Sequence, residues 1–192
     1  MIHYRVNATP PTGSSLTVSQ IVGSVEAAAT EVMTADPQLQ LVDDGTTSAQ
    51  PVGFNNVVGF VGQVAGSVLI SMQTDNSGHY TGFNIQLSSA ATWAFAPCNA
   101  TSGPCAPSPG QGYDLQGSLT HAWAHVPGLD DLGNAQTDRL MTNYGATYGG
   151  PDCGGSTGYV CRFADTLGLG EVLGIRHLYP TAAAMPAIYY DQ

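Results

Sequence analysis

Two histidines four residues apart stand in the run His121-Ala122-Trp123-Ala124-His125-Val126-Pro127-Gly128-Leu129-Asp130-Asp131. On a helix, side chains at i and i+4 lie on one side about one turn apart, so both imidazoles can reach a single zinc ion. Gly128 follows the second histidine by three residues and can take positive φ at no steric cost, which lets the chain leave the helix. Asp131 stands three residues further on, where the returning chain would bring a third ligand. His121, His125 and Asp131 thus form a candidate zinc set with the fourth tetrahedral position left open for water, as in catalytic rather than structural sites. A histidine pair at this spacing is on its own more often a coincidence of a surface or core. Asp130 is read as a solvated neighbour of the ligand rather than the ligand itself.

These residues need a scaffold, and the flanking pattern supplies one. Asp114 can cap a helix that runs through Leu115, Leu119, Trp123 and Val126 and stops at Pro127-Gly128. Near the start of the chain, Ile2, Tyr4 and Val6 alternate with His3, Arg5 and Asn7, the period of a half-buried strand ending before Pro10-Pro11. Thr17-Val18-Ser19-Gln20 has the form of a capping box, and Ile21, Val25, Ala28, Ala29 and Val32 then recur at helical spacing until Asp36-Pro37. Four short apolar segments follow, Leu39–Val42, Val57–Val61, Val68–Met72 and Phe83–Leu87, each bounded by turn-forming residues as strands are. A Cys/Pro/Gly/Ser loop spans 97–112, and 129–167 shows no sustained period. Glu171–Tyr179 reads as a short third helix ended by Pro180. The expected class is α+β, a sheet packed on the long helix.

Composition narrows the function. The 192 residues are 43% hydrophobic and 9% charged, the balance of a folding chain of one-domain size rather than a disordered one. Four basic against 14 acidic residues give a formal charge of −10, so the cationic surface that nucleic acid or anionic lipid requires is missing. No apolar run approaches the roughly 18 residues of a membrane span.

The four cysteines fall into close pairs, Cys98/Cys105 and Cys153/Cys161. Their spacings are not those of zinc fingers or redox motifs. Two disulfides are expected, implying an oxidising compartment and a secreted, extracellular protein. Three connectivities are possible, of which the two local bridges are favoured because each closes a short loop. The opening residues alternate like a strand, unlike a signal peptide, and the sequence reads as a mature domain with Met1 supplied for expression. Asn7-Ala8-Thr9 and Asn99-Ala100-Thr101 fit the glycosylation sequon.

The histidine run resembles the metzincin metalloproteases, whose pattern is HExxHxxGxxH followed by a Met-turn. The stretch Asp114-Leu115-Gln116-Gly117-Ser118-Leu119-Thr120 and the stretch from Thr166 to Pro180 are similar to the matrixin branch. Met141, ten residues past Asp131, lies where the Met-turn would be. With Asp131 in place of the third histidine, the motif looks like the HExxHxxGxxD variant of the small snapalysin-type enzymes. The resemblance implies the zincin-like α+β fold over residues 1–180: a twisted mixed five-stranded sheet, a backing helix, an active-site helix and a C-terminal helix. Residues 181–192 would be an apolar tail that packs on the body or on a neighbour. The resemblance also offers Tyr144 as an oxyanion stabiliser, although it lies one residue further from Met141 than in the branches that use one, so simple packing is its alternative reading. His3, His79 and His177 are read as structural or exposed, and His79 with Asp75 is the one weak hint of a second metal site.

What the resemblance implies is a secreted monomeric zinc endopeptidase acting on peptide or protein substrates. In that chemistry zinc polarises the scissile carbonyl and a glutamate takes the proton from water. Position 122, where the family carries that glutamate, is alanine, which can neither accept a proton nor pass one to the leaving amine. Ala122 is therefore read as a substitution that yields an inactive, zinc-retaining form. The alternative is a natural pseudoprotease, a secreted module that binds peptide or protein in the same cleft. Substrate is expected to lie along an edge strand at Ser67–Met72 by strand addition.

Overall fold

The computed structural model describes residues 1–65, 67–76, 80–95, 113–130, 167 and 169–178. Strand β1 (Ile2–Asn7) buries Tyr4 and Val6 while His3 and Arg5 face solvent, the alternation expected of a strand covered on one face. Helix α1 (Val18–Ala35) starts at a formed capping box: the Gln20 amide donates to Thr17 Oγ1 at 3.2 Å, and the Thr17 amide donates to Gln20 Oε1 at 2.8 Å. It carries the chain over to β2 (Leu41–Thr46), which pairs parallel to β1.

Strands β3 (Val57–Val61), β4 (Val68–Thr74) and β5 (Tyr80–Ser88) complete a five-stranded sheet in the order β2-β1-β3-β5-β4. Only β4 runs antiparallel, against β5, and it forms one edge. Alternate residues Tyr4 and Val6, Val58 and Phe60, and Phe83, Ile85 and Leu87 enter one apolar cluster. That cluster also takes Ile21, Val25, Ala28 and Val32 of α1. The class is mixed α+β with a five-stranded mixed sheet and three helices among the described residues.

Strand β2 lies further along than the apolar run Leu39–Val42 indicates. Asp36 holds a tight turn, its Oδ1 accepting from the Gln38 amide at 2.7 Å and its carbonyl from the Leu39 amide at 3.1 Å, so Leu39 is buried before the strand begins. The strand then runs on through Asp43, Asp44 and Gly45, because an edge strand with exposed side chains needs backbone pairing and not apolar content.

Two further features were not legible as elements. Strands β6 (Trp93–Ala94) and β7 (Tyr113–Asp114) pair parallel as a two-residue ribbon, Trp93 beside Tyr113 and Ala94 beside Asp114. Trp93 anchors the ribbon, with its indole N–H on the Ser88 carbonyl at 2.8 Å and its ring 5.9 Å from that of Phe60. Helix α2 (Leu115–His125) begins directly from β7, and helix α3 (Leu169–Leu178) begins two residues before Glu171. No helix among the described residues is long and apolar enough to cross a membrane.

Candidate functional site

Helix α2 carries both histidines. Asp114, buried, caps it by accepting the Gly117 amide at 2.9 Å. Trp123 fixes its rotation: the ring lies edge-on to Tyr4 of β1 at 4.7 Å and to Phe83 of β5 at 5.4 Å. With Trp123 against the sheet, His121 and His125 fall on the helix face that stays half-exposed. Burial, with Asp43 and then Glu26 nearby, pushes the Tyr4 hydroxyl above the ordinary tyrosine range.

The two imidazoles converge. His121 Nε2 and His125 Nε2 are 3.2 Å apart, with ring centroids 4.8 Å apart and planes at 85°. His125 Nδ1 lies 2.8 Å from the Leu129 carbonyl. A carbonyl oxygen only accepts, so Nδ1 carries the proton, and in the neutral ring the Nε2 lone pair is directed at its neighbour. Two nitrogens on one tetrahedral zinc at about 2.0–2.1 Å stand roughly 3.3–3.4 Å apart, within a few tenths of the separation observed here. A metal-bound histidine also characteristically donates its other ring N–H to a carbonyl or carboxylate. The pair therefore fits zinc in spacing, and His125 fits it in tautomer and outer hydrogen bond.

Beyond the helix the chain turns through Val126, whose amide reaches the Trp123 carbonyl at 3.1 Å, and Gly128, whose amide reaches the His125 carbonyl at 2.8 Å. Gly128 has φ +108°, a conformation that side chains rarely adopt. Asp130 is exposed. Asp131, Met141, Tyr144, Cys98, Cys105, Cys153, Cys161 and the tail 181–192 lie outside the described residues, as does His79. Among the described residues no group of three or more His, Cys, Asp or Glu side chains gathers as a metal site.

No protein-family model and no curated protein matches this chain.

Ala122 is fully buried and belongs to the apolar cluster, next to His121 in the chain. A carboxylate placed there would enter apolar surroundings, which raise a carboxyl pKa towards the range useful for moving a proton near neutrality. His3 is paired with Asp44 at 2.9 Å on the surface, and His177 is exposed near the end of α3. In the first sequon Asn7 is buried, and its amide nitrogen donates to the Ala49 carbonyl at 2.9 Å, so the folded chain does not offer that nitrogen to a glycosyl donor. The Leu129 carbonyl was not among the residues singled out by sequence. It acts through backbone, and no side-chain pattern signals it.

Proposed function

We propose that this chain is a zinc-binding domain of the metzincin kind, a secreted peptidase scaffold in which Ala122 replaces the proton-transferring glutamate. The observation that carries this reading is the convergence of the two Nε2 atoms at 3.2 Å with His125 held in the Nδ1–H tautomer by Leu129. His121 and His125 would hold the ion, with Asp131 as the third ligand by its place in the motif. When bound, zinc supplies Lewis acidity towards a peptide carbonyl and acidifies water to a pKa of about 7. The rest falls to the chain. Strand β4, an edge of the sheet among the described residues with Leu69 exposed, would take an extended peptide along its outer side, and residue 122 moves no proton while it is alanine.

The full burial of Ala122 in the apolar cluster favours a second reading, the pseudoprotease that binds peptide without cleaving it, because alanine there is well packed as it stands. Two measurements test the pair of readings. Calorimetric titration of the metal-free chain should show about one zinc per chain, and His121→Ala or His125→Ala should weaken binding by more than the ~100-fold that losing an outer-shell partner can cost. Binding below a tenth of an equivalent rejects the zinc site. Ala122→Glu should then hydrolyse an unfolded protein such as casein in a chelator-sensitive way, while Ala122→Gln stays at background. A folded, zinc-loaded Glu variant that cleaves nothing across a broad peptide library leaves the binding module as the function.

A further inference from the structure

We infer that Asp44-Gly45 on strand β2 is a site of spontaneous backbone modification, where aspartate isomerises to isoaspartate with Asp43 and His3 serving as base and acid. It is the one Asp-Gly or Asn-Gly step in the 192 residues. In such a step the amide nitrogen that follows attacks the side-chain carboxyl carbon and closes a five-membered succinimide. Glycine, having no Cβ, leaves that nitrogen the most open approach. Asp44 and Gly45 are both exposed, and a Cβ built on Gly45 would meet nothing within 4 Å.

Three features of the fold bear on this one peptide bond. The Gly45 amide donates to Asp43 Oδ1 at 2.7 Å, so a carboxylate already holds the proton that the nitrogen must lose. His3 Nδ1 lies 2.9 Å from Asp44 Oδ1, and since a carboxylate oxygen accepts, the imidazole aims an N–H at an oxygen that can leave. The ladder with β1 also skips here: Tyr4 pairs with Asp43 and Val6 with Thr46, so Asp44 and Gly45 together stand opposite Arg5 alone. That is the two-against-one count of a β-bulge, and Gly45 takes φ +90° within it.

The chemistry balances without an outside reagent other than water. The Gly45 nitrogen bonds to Asp44 Cγ and its proton passes to Asp43. One Cγ–O bond breaks, and that oxygen leaves as water carrying one proton from protonated His3 and the one lost by the nitrogen. Water then adds to the main-chain carbonyl of the ring, the bond from that carbonyl to the Gly45 nitrogen breaks, and the proton released returns to His3. Nothing is oxidised or reduced. The isoaspartyl link lengthens the backbone by one carbon, which in a regular strand would disrupt the pairing. Here it falls in a segment that makes no ladder pair, so the folded chain can hold the product.

The test incubates the full folded chain in heavy-oxygen water at neutral pH beside the same chain held unfolded in guanidinium chloride. Each passage through the ring leaves one heavy oxygen on residue 44, read by mass spectrometry of the peptide that contains it, and electron-transfer fragmentation distinguishes isoaspartate from aspartate. A positioned acid or base is typically worth about 10²–10⁴-fold, and with both groups at the surface the folded chain should isomerise at least ~10-fold faster than the unfolded one. Asp43→Asn keeps the acceptor oxygen but not the base, and His3→Gln keeps a donor but not the acid; each should slow the folded chain about 10-fold. A folded chain that isomerises no faster than the unfolded one overturns the inference, and so does a rate at residue 44 that either substitution leaves unchanged. The first comparison needs no variant, so it decides the matter even where a substitution prevents folding.

Discussion

Helices α1 and α2 both begin at a side-chain cap and both enter the one apolar cluster, yet they are built on opposite plans. Helix α1 buries a stripe, Ile21, Ser24, Val25, Ala28, Ala29, Val32 and Ala35, and gives its other side to water. In α2 burial runs almost all the way round, and only Gln116, His121 and His125 keep partial exposure. A supporting helix can spend a whole face on solvent. A helix packed against both a second helix and the sheet has no spare face, so its few half-open positions are where outside chemistry can reach it. Two of those three positions are histidines with converging nitrogens, which is why the proposed zinc site falls on α2.

The contrast breaks first at Trp123. Truncating it to alanine removes the ring that meets both Tyr4 and Phe83 and should cost about 3–5 kcal/mol in urea unfolding, against about 2 kcal/mol for Val25→Ala in α1. Equal losses would mean that α2 is no more central than its support. Trp123→Phe should recover most of the difference, because the indole N–H is buried with no hydrogen-bond partner among the described residues and its removal relieves a desolvated donor.

The caps sharpen the comparison at smaller scale. Asp114→Ala strips a buried cap and should cost about 2 kcal/mol, the upper end for such residues, whereas the exposed Thr17→Ala should cost roughly 0.5–1 kcal/mol. Thermal melts of the two variants side by side decide it, and a larger effect at Thr17 would reverse the assignment of support and centre.

The smallest effect expected is alkaline. The Tyr4 hydroxyl titrates higher in the folded chain than in the unfolded one, where tyrosine ionises near pH 10, so its stabilising difference is intact below that pH and is lost as pH rises towards the folded value. Urea midpoints should therefore decline above a pH of about 10, and Tyr4→Phe should flatten that decline. Since Tyr4 rests on Trp123, near-ultraviolet circular dichroism should register the same transition at the indole.

What was legible in the chain divides along these lines. Helix α1 could be read to within a residue because Thr17 and Gln20 mark its start and its apolar residues keep helical spacing on one stripe. The sheet could be read where strands are buried, as at Val57–Val61, and was displaced at β2, where pairing and not hydrophobicity sets the bounds. The β6–β7 ribbon is too short for any period to show. In the site, the i, i+4 spacing announced the imidazole pair and Gly128 its turn. The Leu129 carbonyl was invisible, since it is backbone, and it acquires meaning only when the turn at Gly128 has brought it to His125.

The order of the sheet has a consequence for how the chain comes to be folded. Strand β1 is an interior one, parallel to β2 through Ile2 and Leu41 and to β3 through Arg5 and Val57. As the chain grows, β1, α1 and β2 can assemble early as a crossover unit, but one long side of β1 must wait open until β3 arrives, and β3 itself must wait for β5. Partners so distant in sequence place a loop-closure cost ahead of the contacts that offset it. The helix bearing the histidines, which needs Tyr4 and Phe83 already aligned to seat Trp123, is then among the last parts to lock, so maturation of the site reports completion of the sheet beneath it.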